Sequence, residues 1–148
     1  MNFAELNFPN IDLKTKLVEG NTQVFDVVRK RYFKLTPEEW VRQHVIHYLN
    51  SYKKYPFGLM GVEKMIKYNG LKTRADIVIY NTEGIAKMLV ECKAPSVKIT
   101  QDTFHQIAKY NFNLNVDTLL VTNGITHFCC AMRYDINKID FLEEIPGF

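Results

Sequence analysis

"ADIVIYNTEGIAKMLVECKAP", residues 75–95, decides the fold. "RADIVIYN" is rich in β-branched residues and reads as a strand. "GIAKMLVECKAP" reads as the next strand, ended by Pro95. "NTEG", residues 81–84, is a short turn, so the two strands should form an antiparallel hairpin. Apolar strands seldom carry charge, yet Asp76 heads the first and Glu91 and Lys93 close the second. Strand side chains alternate faces, so Glu91 and Lys93 share a face, ~6–7 Å apart, and Cys92 points to the other. The hairpin should bring Asp76 beside both.

Two carboxylates that close repel unless a cation sits between them. Magnesium suits oxygen ligands of this kind, and manganese can substitute. Asp76 and Glu91 are the candidate ligands, with the backbone carbonyl of Cys92 as a further one. A metal there would polarise a phosphate oxygen and lower the pKa of bound water. Lys93 would orient that water or stabilise charge on the phosphate. The plain alternative is a Glu91–Lys93 ion pair on an exposed strand. Pro95 and the third charge at Asp76 tip the balance toward a site.

Outward from the hairpin, the order reads β-hairpin, α, β, β, β, α, β, β. "TPEEWVRQHVIHYLNSYKKY" (36–55) is a helix: Thr36 caps it, Pro37 fits the first position, and Glu39 completes a capping box. Residues 41, 45, 48, 49 and 52 make one stripe. "TQDTFHQIAKYNFNL" (100–114) is the second helix, and "DTLLVTNGITHFCCAMRYD" gives two strands around an Asn-Gly turn. A hairpin through "EGNTQ" (19–23) precedes the first helix, and the tail "INKIDFLEEIPGF" reads as irregular. The fold class is α/β, helices covering one sheet. Residues 1–35 form an extension and 36–148 the main domain.

Composition excludes several classes. The 148 residues suit one domain, 47% hydrophobic and 24% charged. No apolar run approaches a membrane span and no leader pattern opens the chain, so the expected compartment is the cytoplasm. Cys92, Cys129 and Cys130 contain no CxxC pair and read as buried hydrophobes. The net charge of +3 permits nucleic-acid binding without demanding it. "VRKRYFK" (28–34) is more pointed: Arg29, Lys30 and Arg31 are candidate phosphate contacts, against a solvated surface as the plain reading.

The set Ala75-Asp76, then Glu91-Cys92-Lys93, resembles the motif of the PD-(D/E)xK nuclease superfamily. From about residue 24 to 130 the chain resembles the N-terminal nuclease domain of type I restriction enzyme R subunits. "LTPEEWVRQHVIHYL", "YPFGLMGVEK", "RADIVIY", "VECKAPSVKITQDTFHQIAKYNFNL" and "LLVTNG" carry that likeness. It implies a restriction-endonuclease-like core: a mixed central sheet flanked by helices, here with an N-terminal β-hairpin extension. It implies that Asp76 and Glu91 bind magnesium and that Lys93 serves the attacking water. Gln106 and Tyr110 match the QxxxY motif of the RecB-like subset, which braces the site and contacts DNA. Many members add a glutamate from the first helix. Counting about 100° per residue puts Glu38 on the apolar stripe, so it is preferred over Glu39, with Glu63 as a further alternative. Ala75 stands where the motif has proline. The pattern GxxxxGK[ST] is missing, so no ATP site is expected in this chain.

Three functions follow as expectations. The first is a magnesium-dependent DNA endonuclease, acting alone or as a homodimer. The second is a nucleic-acid- or partner-binding module with a nuclease-like fold. The third is a subunit active only within a larger restriction or repair assembly.

Overall fold

The computed structural model describes residues 3–148. Its centre is the expected hairpin. β5 (Leu71–Tyr80) pairs antiparallel with β6 (Ala86–Cys92), with Ile77 opposite Val90 and Ile79 opposite Met88. β4 (Met60–Tyr68) flanks β5, and β7 (Thr118–Thr122) lies parallel to β6. β8 (His127–Arg133) and β9 (Lys138–Leu142) complete a six-stranded mixed sheet, ordered β4-β5-β6-β7-β8-β9. A parallel neighbour needs a crossover, and α2 (Gln101–Asn111) supplies it between β6 and β7.

Both faces of this sheet are buried, which is why "IVI" and "MLV" run without polar interruption. α1 (Pro37–Ser51) lays Val41, Val45, Ile46 and Leu49 on Ile77, Ile79, Met88 and Val90. α2 lays Phe104 and Ala108 on Val78, Leu89, Leu119 and Val121. All three cysteines are free and buried in these cores. Both helix starts are capped: Thr36 Oγ1 accepts the Glu39 N–H, and Thr100 Oγ1 accepts the Thr103 N–H. Among the described residues no helix is long and apolar enough to cross a membrane. The architecture is mixed α/β and compatible with a restriction-endonuclease-like fold.

One expectation is extended and one changes. The N-terminal hairpin through residues 19–23 forms, β1 (Thr15–Val18) with β2 (Asn21–Asp26), and a third strand, β3 (Arg31–Lys34), extends it into an antiparallel sheet. The Asp26 carboxylate accepts the N–H groups of Val28 and Arg29 at 2.7 and 2.9 Å, and Lys30 takes φ +59°. That local turn cuts one β-rich run into two paired strands. The tail is also not irregular. Asn137 at φ +53° turns the chain, and β9 pairs with β8 through Cys130 opposite Phe141. Its half-exposed side chains hid a short edge strand.

The Asn-Gly turn between β7 and β8 bears weight. Gly124 has φ +87°, and an added Cβ would lie 2.6 Å from Leu6 Cδ2 and 3.2 Å from Val41 Cγ2. Gly124→Ala combines backbone strain with overpacking of the α1 core. Urea unfolding should show a loss of about 1–3 kcal/mol. An unchanged midpoint would mean that Leu6 does not seat there.

Candidate active site

The β5–β6 ladder ends at Ile77 opposite Val90, which leaves Asp76 and Glu91 each one residue beyond its last pair. There the Cys92 N–H leaves the ladder and donates to Asp76 Oδ2 at 2.7 Å. Cys92 thus meets the site through its backbone, since its thiol is buried in the α1 core and burial pushes its pKa up. Lys93 is anchored by its own N–H to Thr122 O at 2.8 Å. Its Nζ stands 3.6 Å from Glu91 Oε1, both side chains more than a third exposed. The structure brings Asp76, Glu91 and Lys93 together.

Arg42 is the partner that sequence reading missed. Its side chain is only 6% exposed and lies among four carboxylates. Nη2 is 2.9 Å from Asp76 Oδ1, 3.3 Å from Glu38 Oε1 and 3.6 Å from Glu63 Oε1. Nη1 donates to Glu39 Oε1 at 2.8 Å. Burial opposes the charge, but Glu39 and Asp76 outweigh it and raise the Arg42 pKa. The one available signal was its spacing, four residues after Glu38 on one helix.

The helix glutamates divide differently from the angular count. Glu38 is about half exposed, and burial together with Asp76 raises its pKa. Glu39 is buried. Its N–H makes the cap, but its carboxylate turns inward to Arg29, Arg42 and Gln43. The capping box therefore does not account for Glu39. The N-terminal sheet covers a second side of α1, which the amphipathic stripe could not show. Glu63 sits in β4 at φ +54°, a conformation costing on the order of 1 kcal/mol. It also pairs with Arg74 Nη2 at 2.8 Å. Glu38, Arg42, Glu63 and Ala94 line a cavity of ≈ 530 Å³.

On the α2 side, Gln106 and Tyr110 line a separate cavity of ≈ 240 Å³ with Arg74, Ala75 and Glu91. Glu91 thus opens toward α2, whereas Asp76 is held from α1. The basic run splits too. Arg29 is bound to Asp26 at 2.8 Å and Glu39 at 2.7 Å, and its guanidinium lies 3.4 Å from the Phe33 ring centre. These contacts withdraw it from solvent, while Lys30 and Arg31 remain exposed.

Among known families, the one described as type I restriction enzyme R protein N terminus matches residues 37–146. No curated protein and no solved structure matches the chain.

Two substitutions probe the ion network. Arg42→Met strands the buried Glu39 and the Asp76 carboxylate, and should cost about 3–5 kcal/mol in urea unfolding. A loss below about 1 kcal/mol would mean that water replaces the guanidinium. Asp26 is fully buried; burial would raise its pKa, but the N–H and guanidinium of Arg29 and the Gln43 amide hold it below the ordinary 3.8. Its ionised form is therefore favoured in the folded chain. That stability is present above pH ~3.8 and fades as pH falls through the folded pKa. Asp26→Asn should destabilise by about 3 kcal/mol at neutral pH, with the gap to wild type narrowing below pH ~3.8 in denaturation measured across pH.

Proposed function

The chain belongs to the type I restriction enzyme R protein N-terminus family, and on that premise we propose that it is a metal-dependent nuclease that hydrolyses phosphodiester bonds, with DNA as its substrate. The observation that supports this is the end of the β5–β6 ladder at Ile77 and Val90, where Asp76 Oδ2 accepts the Cys92 N–H and Lys93 Nζ lies 3.6 Å from Glu91 Oε1. The spacing Asp76, Glu91-Cys92-Lys93 is that of the PD-(D/E)xK motif.

Among the described residues no three His, Cys, Asp or Glu side chains form a metal cage. Magnesium does not need one, since it commonly takes one or two carboxylates and fills its shell with water and substrate phosphate. Asp76 and Glu91 supply hard oxygens where the β5–β6 ladder ends, so the residues fit a magnesium shared with substrate. Glu38 is the next carboxylate on the Asp76 side, and manganese would serve in its place. When bound, the ion would offset phosphate charge and ease water deprotonation.

The chain's own groups have distinct tasks. The Cys92 N–H fixes Asp76 Oδ2, leaving Oδ1 as its variable oxygen. Lys93, as an ammonium, has three N–H donors and no lone pair, so it positions the attacking water or a nonbridging phosphate oxygen. Water oxygen bonds to phosphorus and the bond to the leaving oxygen breaks. Gln106 and Tyr110, exposed beside Glu91, would contact the nucleic-acid strand.

One observation favours a second reading. Both Asp76 oxygens are already engaged, Oδ1 by Arg42. A binding module without cleavage would keep that arrangement. A subunit of a restriction assembly would release Oδ1 only when partner and DNA are present.

Calorimetric titration of Mg²⁺ or Mn²⁺, paired with plasmid and single-strand nicking, tests the proposal. Asp76→Ala and Glu91→Ala should lose metal binding and at least about 100-fold in cleavage, a loss of ~2.7 kcal/mol in transition-state stabilisation. Lys93→Ala should lose cleavage while keeping metal affinity. Undiminished nicking by all three variants would assign the activity elsewhere.

A further inference from the structure

The β-rich run 22–34 puts alternate residues on opposite faces of the N-terminal sheet. The inward face carries Val24 and Asp26, both fully buried. The outward face carries Lys16, Val18, Asn21, Gln23, Phe25, Tyr32 and Lys34, as the register of β1, β2 and β3 dictates. Lys14 extends it, since its carbonyl accepts the Phe25 N–H at 2.8 Å.

Phe25 and Tyr32 face each other across β2 and β3, ring centres 5.3 Å apart. Neither ring joins either hydrophobic core among the described residues. Lysines surround them instead. Lys16 Nζ lies 4.0 Å from the Tyr32 ring centre, and Lys14 Nζ lies 5.2 Å from that of Phe25. The paired positions of this face hold no carboxylate, and Lys14, Lys16 and Lys34 have no ion-pair partner among the described residues. Two aromatic rings on an antiparallel sheet, ringed by unpaired lysines, are the components of a base-stacking surface.

The geometry points to this outward face as a platform for single-stranded nucleic acid. Bases stack on Phe25 and Tyr32 by displacing the Lys14 and Lys16 ammonium groups that lie over these rings, and phosphates then meet Lys14, Lys16 and Lys34. Stacking favours a single strand over a duplex, whose bases present no free π-face. Lys34 also lines the ≈ 530 Å³ cavity that holds Glu38, Arg42 and Glu63. A strand crossing the platform is thereby led toward the candidate active site. The placement deepens the proposed nuclease reading, but binding itself needs neither metal nor cleavage.

The test is fluorescence anisotropy with a labelled thymidine strand of about 20 nucleotides, in chelator, across a salt series. The full chain, Lys14→Gln/Lys16→Gln/Lys34→Gln and Phe25→Leu/Tyr32→Leu are compared. A charge-matched control, Lys67→Gln/Lys72→Gln/Lys138→Gln, changes exposed lysines away from the platform. The lysine variant should bind at least tenfold more weakly, and its salt slope should fall by about 2, three lost contacts at ~0.7 each. The ring variant should bind about tenfold more weakly at any salt. Equal weakening in the control, tighter binding of a duplex of the same length, or no binding by wild type would overturn the platform. Binding is read in chelator and nicking in Mg²⁺, so a failed nuclease assay and a failed platform remain separate results.

Discussion

One buried guanidinium holds the carboxylates of this molecule in place. Arg42 contacts Glu38, Glu39, Glu63 and Asp76 from a side chain only 6% exposed. Without it, four like charges would converge where α1, β4 and β5 meet. With it, each is drawn to a common point. A relay of charges leads outward from there: Asp76 to Arg42, Arg42 to Glu39, Glu39 to Arg29, Arg29 to Asp26. The relay joins the large sheet, the first helix and the N-terminal sheet through paired charges. Such burial is expensive, and Arg42 Nε and Gln43 Oε1 lack hydrogen-bond partners. An apolar cluster would stabilise the junction at least as well. The charges therefore make most sense as a means of orienting Asp76.

The end of a ladder does the remaining positioning. Had β5 and β6 stayed paired through Asp76, the Cys92 N–H would have been spent on a backbone carbonyl. Because pairing stops at Ile77, that N–H fixes a carboxylate instead. β6 stays straight nonetheless, since β7 pairs it through Cys92 and takes the Lys93 N–H. A broken ladder on one side and an intact one on the other gather three charged side chains where β5 and β6 part.

Much of this was legible in the sequence where the physics is local. The β5–β6 hairpin followed from "NTEG" between two apolar runs, and the two helices from Thr caps and apolar stripes. That Glu91 and Lys93 share a face followed from strand alternation, and the nearness of Asp76 from the hairpin. What escaped was tertiary. Glu39 looked spent on its cap because nothing in α1 alone announces Arg29 arriving from another sheet. Arg29 looked like a phosphate ligand for the same reason: its partners, Asp26 and Glu39, become neighbours only when β2 turns back at Asp26. The third strand and β9 escaped because Asx and left-handed Asn turns are weak signals beside Gly and Pro. The basic run 28–34 was read as one patch, and strand alternation divides it between two faces.

The charge balance around Arg42 bears on what else the site can hold. Asp26, Glu38, Glu39, Glu63 and Asp76 stand against Arg29, Arg42 and Arg74, five carboxylates against three guanidinium groups. Glu91 and Lys93 offset each other beside them. The excess is negative, and the inner pairs leave it at the rim, where Glu38 is the carboxylate whose pKa burial and Asp76 raise. Under the proposed function, a divalent cation would offset that shortage of positive charge beside Asp76. A phosphate placed at this rim, as distinct from the N-terminal platform, would need the same cation. Metal and the scissile phosphate would then bind this rim cooperatively, while binding on the N-terminal platform stays independent of metal.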